Sequence, residues 1–72
     1  MVVFVLEIDG KLFDLVPERG AWFLVDRKLH MNYKVESSLN KVAIGQRIAA
    51  RLANSKEPPR AFKVQKIFEV FL

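Results

Sequence analysis

Arg47 and Arg51 stand four residues apart, with Asn40 and Asn54 on either side, and Lys56, Arg60, Lys63 and Lys66 follow at short intervals. Between Lys41 and Lys66 there are seven basic residues and a single acid, Glu57. The rest of the chain carries more acids than bases, so the net charge of +4 comes entirely from the second half. Clustered guanidinium and ammonium groups attract anions. Arginine and asparagine also suit phosphate and base-edge contacts. Arg47, Arg51, Lys56, Arg60, Lys63 and Lys66 are therefore candidate contacts to nucleic acid or to an acidic protein surface. The plainer alternative is a solvated face that keeps a small apolar protein dispersed.

Groups suited to catalysis do not converge. There is no cysteine, which removes thiol nucleophiles and thiolate metal sites, and His30 is the one imidazole. A histidine-based triad would need His30 beside Ser37 or Ser38 and an acid, but Glu36 lies far from His30 along the same strand. The acids are spread singly, with Asp9 in a turn, Asp26 before a bend and Glu36 before a helix start. Three scattered glycines make neither a phosphate loop nor a dinucleotide fingerprint. No catalytic residue, metal or cofactor is expected, and the protein reads as a non-enzyme.

The length of 72 residues allows one domain, spanning 1–72, with marginal stability for its size. Hydrophobic residues make up 51% of the chain, too many for disorder at this net charge. The apolar run Val2 to Leu6 is far shorter than the roughly 20 residues of a membrane span. It also lacks the basic flank of a signal peptide. Met1 reads as the start of a cytoplasmic protein with no membrane partner.

The elements that would position the basic residues follow from periodicity. Val2 to Ile8 and Leu12 to Val16 are β-rich and flank Asp9-Gly10, the signature of a two-residue hairpin turn. That turn sets Leu6 opposite Phe13 and Phe4 opposite Leu15, so Val2, Phe4, Leu6, Ile8, Phe13 and Leu15 share a face. Pro17-Glu18-Arg19-Gly20 reads as a second turn, followed by a strand from Ala21 to Asp26. Trp22 and Leu24 continue the first face, while Phe23 and Val25 point away. Leu29 to Glu36 alternates as a half-buried edge strand, with His30, Asn32 and Lys34 on its wet side.

From Ser37 or Ser38 as cap to about Asn54, the row Ile44, Ile48 and Leu52 predicts a helix, with Arg47 and Arg51 on its polar stripe. Pro58-Pro59 prevent its continuation. Arg60 to Leu72 is a last strand, with an irregularity near Gln65 where Lys66 breaks the alternation. The expected fold is α+β in the order ββββαβ. An antiparallel meander of four strands is followed by one helix packed on one face, and then by a C-terminal strand beside the first.

One helix covers only one face of such a sheet. The other carries Val3, Val5, Leu12, Val16, Phe23 and Val25, joined on this reading by Ile67 and Phe71. A contiguous apolar patch of this kind marks an interface when exposed, and a domain this small gains stability from a partner. The first expectation is therefore a protein-binding module, most simply a homodimer joined through that face. In size and economy it resembles the small accessory, inhibitory or regulatory proteins of phages and mobile elements. The second expectation is a nucleic-acid binder using the basic patch. The alternative for the apolar face is that the sheet curls into a small barrel.

Overall fold

The computed structural model describes residues 2–36 and 38–71. The chain forms β1 (Val2–Ile8), β2 (Lys11–Glu18), β3 (Ala21–Asp26), β4 (Asn32–Val35), β5 (Arg47–Leu52), β6 (Arg60–Lys63) and β7 (Lys66–Phe71). They make one antiparallel sheet in the order β6-β5-β4-β3-β2-β1-β7, curled into a half-barrel. There is no helix among the described residues, so the α+β expectation is overturned and the fold is all-β. The expected order of the first strands holds, with the C-terminal strand antiparallel to β1, but the fourth strand is not at an edge because β5 pairs along its other side. β5 lies within the segment expected to be helical, and the expected last strand is divided into β6 and β7.

The first hairpin follows from its turn. Asp9 and Gly10 have φ of 52° and 74°, as a two-residue hairpin turn of matching twist requires. Leu6 pairs with Phe13 and Phe4 with Leu15, as the turn dictates. The second turn is tighter than Pro17-Glu18-Arg19-Gly20. β2 continues through Pro17, which pairs with Trp22, and only Arg19 and Gly20 adopt positive φ, at 49° and 79°.

β4 starts later than Leu29 because Asp26 closes a turn first. Its backbone N–H donates to the Met31 carbonyl at 2.9 Å, and its own carbonyl accepts from the His30 N–H at 2.7 Å. His30 then sits exposed at φ 59°, in a turn rather than on a strand.

The helix fails for a reason visible in its spacing. Ile44, Ile48 and Leu52 recur every four residues, a step compatible with both a helix and a strand. Gly45 adopts φ 88°, which no right-handed helix permits. From Arg47 the burial alternates strictly, with Ile48 and Ala50 buried and Arg47, Ala49 and Arg51 exposed. Ile44 remains 70% exposed, so it anchors nothing. Ser37, one of the two expected caps, lies outside the described residues, as do Leu72 and the side chain of Val2. The segment before β5 lays Leu39 and Val42 over the core, where they line an apolar pocket of about 330 Å³ with Phe4, Leu15, Trp22 and Ile67.

The last strand closes the structure by changing partners. β6 pairs with β5, and Val64 extends that pairing through N–H donation to the Gln46 carbonyl at 2.8 Å. One residue later the Gln65 N–H donates to the Glu7 carbonyl at 2.8 Å, and β7 continues along β1. The irregularity expected near Gln65 is this change of edge. Consecutive strands thus hold opposite edges of the sheet, and the curl buries a single inner face. Leu6, Ile8, Leu24 and Val64 are fully enclosed there. Phe13, Tyr33 and Phe62 stack edge-on and tilted, with centroids 5.0 to 6.3 Å apart. Aromatic pairs in this geometry add to the stabilisation from burial alone.

Candidate anion-binding face

Alternation along β4, β5 and β6 decides which side chains face outward. Tyr33, Val35, Ile48, Ala50 and Phe62 occupy the core. Their neighbours Lys34, Arg47, Ala49, Arg51, Ala61 and Lys63 are exposed on the outer face. The register then fixes who meets whom. Lys34 lies opposite Arg51, Arg47 lies opposite Lys63, and Ala49 lies opposite Ala61.

Directly opposed residues hold their Cβ atoms about 5 Å apart, and like charges at that distance destabilise a sheet. Two such pairs occur on one face, with a floor of alanines between them. Arg47 and Arg51 are four residues apart on one strand, roughly 13 Å at the rise of a β-strand. Only Arg51 is neutralised, its Nη2 lying 2.9 Å from Glu36 Oε1 and its Nε donating to the same oxygen at 3.0 Å. Among the described residues the other ion pair is Arg27 with Asp14. Lys34, Arg47 and Lys63 therefore face solvent without a carboxylate partner.

The six basic residues expected to act together divide into groups. Arg47, Arg51 and Lys63 share this face. Lys56 lies exposed in the connection from β5 to β6. Arg60 shares its strand parity with the core, and its guanidinium lies 5.7 Å and 5.0 Å from the ring centroids of Tyr33 and Phe62. It caps the barrel end through cation–π contact. Lys66 pairs with Glu7 on the β7–β1 side. Lys34, absent from the expected set, joins the face instead. Its exposure was legible from the alternation of its strand. Its proximity to Arg51 was not, because the helix reading moved Arg51 to another layer.

Along this face lies a groove of about 540 Å³ whose lining includes Phe23, Asn32 and Asn54, the basic Arg19, Lys34 and Arg51, and the acidic Glu18 and Glu36. Phe23 is half-buried there and stands opposite Lys34 in the register.

The expected apolar surface is partly reassigned. Val3, Val5, Leu12, Val16, Phe23 and Val25 do share the outer parity of β1, β2 and β3. Ile67 does not, because it pairs with Leu6 and packs against the core. Phe71 shares Ile67's parity and not that of the outer face. The partner change at Gln65 reverses the parity of the strand, so Phe68 and Val70 face outward opposite Val5 and Val3. Val5 is already buried beneath its neighbours, whereas Leu12 and Phe68 are 40% and 45% exposed.

Among the described residues no three His, Cys, Asp or Glu side chains gather as metal ligands, and no helix is long and apolar enough to cross a membrane. Asp26 is the one buried charged side chain of the described residues. Its Oδ1 accepts the backbone N–H groups of Lys28 at 2.9 Å and Leu29 at 3.0 Å. The Leu29 N–H above all holds its carboxyl below the ordinary value, against the opposing effect of burial, with help from Lys28, Lys11 and His30. Its hydrogen bonds all serve the turn, which makes its role structural. No known protein family, curated protein or solved structure matches the chain.

Proposed function

We propose that this protein is a non-enzymatic, cytoplasmic module that binds nucleic acid along the outer face of β4, β5 and β6, chiefly through phosphates. The observation that carries the reading is the pairing of Lys34 with Arg51 and of Arg47 with Lys63. A sheet meets an energetic penalty for opposing like charges. A polyanion laid over the face converts that penalty into attraction and releases its own counterions. The exposed alanines between the pairs let a backbone approach closely.

Fluorescence anisotropy with a labelled single strand, titrated across salt concentrations, tests this. The three unpaired cations Lys34, Arg47 and Lys63, at about 0.7 each, predict a slope of log K against log salt near −2 for a single strand. Excess poly-glutamate should compete poorly, since an acidic protein surface is the rival anion. Absence of binding at low salt would end the proposal.

A second reading concerns the other half of the outer face. Val3, Val16, Val25, Phe68 and Val70 gather there around the Asp14–Arg27 pair, with a shallow pocket of about 230 Å³. Burial of such a patch against a second copy would stabilise a small domain. Sedimentation equilibrium should then show a dimer at micromolar concentration, and Val16→Lys should shift it to monomer. A monomeric wild-type protein would refute it. The two readings are compatible, because the apolar and basic surfaces lie on different strands.

A further inference from the structure

We propose that the groove at Phe23 is a stacking subsite for one unpaired base of a single polynucleotide strand, whose phosphates continue along the basic face. The inference rests on the nucleic-acid reading above and adds the form of the ligand.

The geometry begins with one row of the sheet. Phe23, Lys34 and Arg51 are consecutive partners across β3, β4 and β5. At about 4.8 Å between strands, the row spans roughly 10 Å of backbone from the aromatic residue to the second basic one. A nucleotide presents the same sequence of groups, a flat base joined through its sugar to a phosphate. Phe23 is half-buried on the outer face, and the close aromatic pairs of the described residues all lie in the core, among Phe13, Tyr33 and Phe62. Its ring therefore has no aromatic partner of its own.

The lining suits a base with a phosphate at its side. Glu18 and Glu36 line the groove together with Arg19, Lys34 and Arg51, and Glu36 is already paired with Arg51. The charges nearly balance, so the groove admits a neutral base at no electrostatic cost. The amides of Asn32 and Asn54 both donate and accept, as base edges require. The volume of about 540 Å³ falls within the range of small-ligand sites. A base held in a duplex is covered on both faces by its neighbours, so only an unpaired base can offer a face to Phe23. Lys34 then takes the adjoining phosphate, and Arg47 with Lys63 take one farther along the strand.

Anisotropy with four labelled probes of about a dozen nucleotides tests the subsite. They are oligouridine, oligothymidine, an abasic strand of equal phosphate number and a duplex. Oligouridine and oligothymidine carry the same stacking chemistry with and without the 2′-hydroxyl, and preferential binding of either supports the proposal. Each preferred strand should bind roughly ten-fold more tightly than the abasic strand, and Phe23→Leu should remove most of that difference while leaving abasic binding unchanged. Photocrosslinking of a 5-iodouridine strand to the wild-type protein gives a readout independent of the variant's folding, with the adduct expected on the peptide containing Phe23. Equal binding of the abasic strand or the duplex overturns the subsite while leaving the basic face intact, as does an adduct confined to other strands. Failure of every probe to bind overturns both readings together.

Discussion

Asp26→Ala should lower the unfolding free energy by about 1–3 kcal/mol near neutral pH, the usual cost of stranding buried polar groups. The residue is only 4% exposed, and its carboxylate accepts two backbone N–H groups through one oxygen. Alanine accepts neither. The loss falls on the turn that brings β4 into register, so Tyr33 and Val35 lose the geometry that places them in the core. For a domain of this size about 1 kcal/mol corresponds to roughly 4–8 °C in Tm.

The pH dependence separates this account from a simple packing defect. The folded carboxyl titrates below its ordinary value, chiefly because the Leu29 N–H favours the charged form. A depressed folded pKa means that the contribution is fully present above the unfolded value, near 3.9, and is lost as pH falls through the folded value. The gap between wild type and Asp26→Ala should therefore narrow on acidification below about pH 4. Asp26→Asn keeps an acceptor oxygen and should lose less stability at neutral pH, with the acid dependence absent. Urea titrations at several pH values measure all of this. A gap of constant size down to about pH 2 would exclude the linkage.

How far the sequence carries depends on whether a signal is local. Asp9-Gly10 specifies its hairpin alone, because positive φ at two consecutive positions leaves one pairing register. The partnership of the last strand with the first was also legible, since an antiparallel meander exposes β1 at an edge. The stretch from Arg47 to Leu52 was not. Its apolar spacing of four fits both periods, and alanine at 49, 50 and 53 marks no face. What decides it is nonlocal. The free edge of β4 and the returning segment at Arg60 offer backbone partners on both sides, and the core offers Ile48 a buried position. Gly45 is a local hint against the helix, since its positive φ marks a left-handed turn. The helix reading also separated Lys34 from Arg51 and hid the row that forms the candidate site. Individual basic residues were visible in the chain. Their opposition in pairs belongs to the register, which only the fold reveals.

The opposed pairs give the binding proposal a signature that ordinary surface lysines would not give. Replacing Lys34, Arg47 and Lys63 together by glutamine should weaken binding of a single strand on the order of 100-fold at low salt and flatten the salt slope by about 2. The same substitutions should raise thermal stability. Arg47 and Lys63 oppose each other without an ion-pair partner among the described residues, an unfavourable contact worth a few tenths to about 1 kcal/mol, whereas Glu36 already offsets Lys34 against Arg51. Relief of the Arg47–Lys63 pair should lift Tm by a few degrees, at roughly 4–8 °C per kcal/mol for this size. Arg51 is left in place because Glu36 already balances it. The control is Lys66→Gln, on β7 opposite Glu7 of β1, which should change binding little. Stability and affinity moving in opposite directions is the expected outcome of charges kept in conflict for an absent anion. If the triple variant instead loses stability, the basic residues support the sheet rather than a ligand. Unchanged binding in a stabilised variant would place the nucleic acid elsewhere. The comparison between binding and unfolding on the same protein therefore decides what the charge conflict is for.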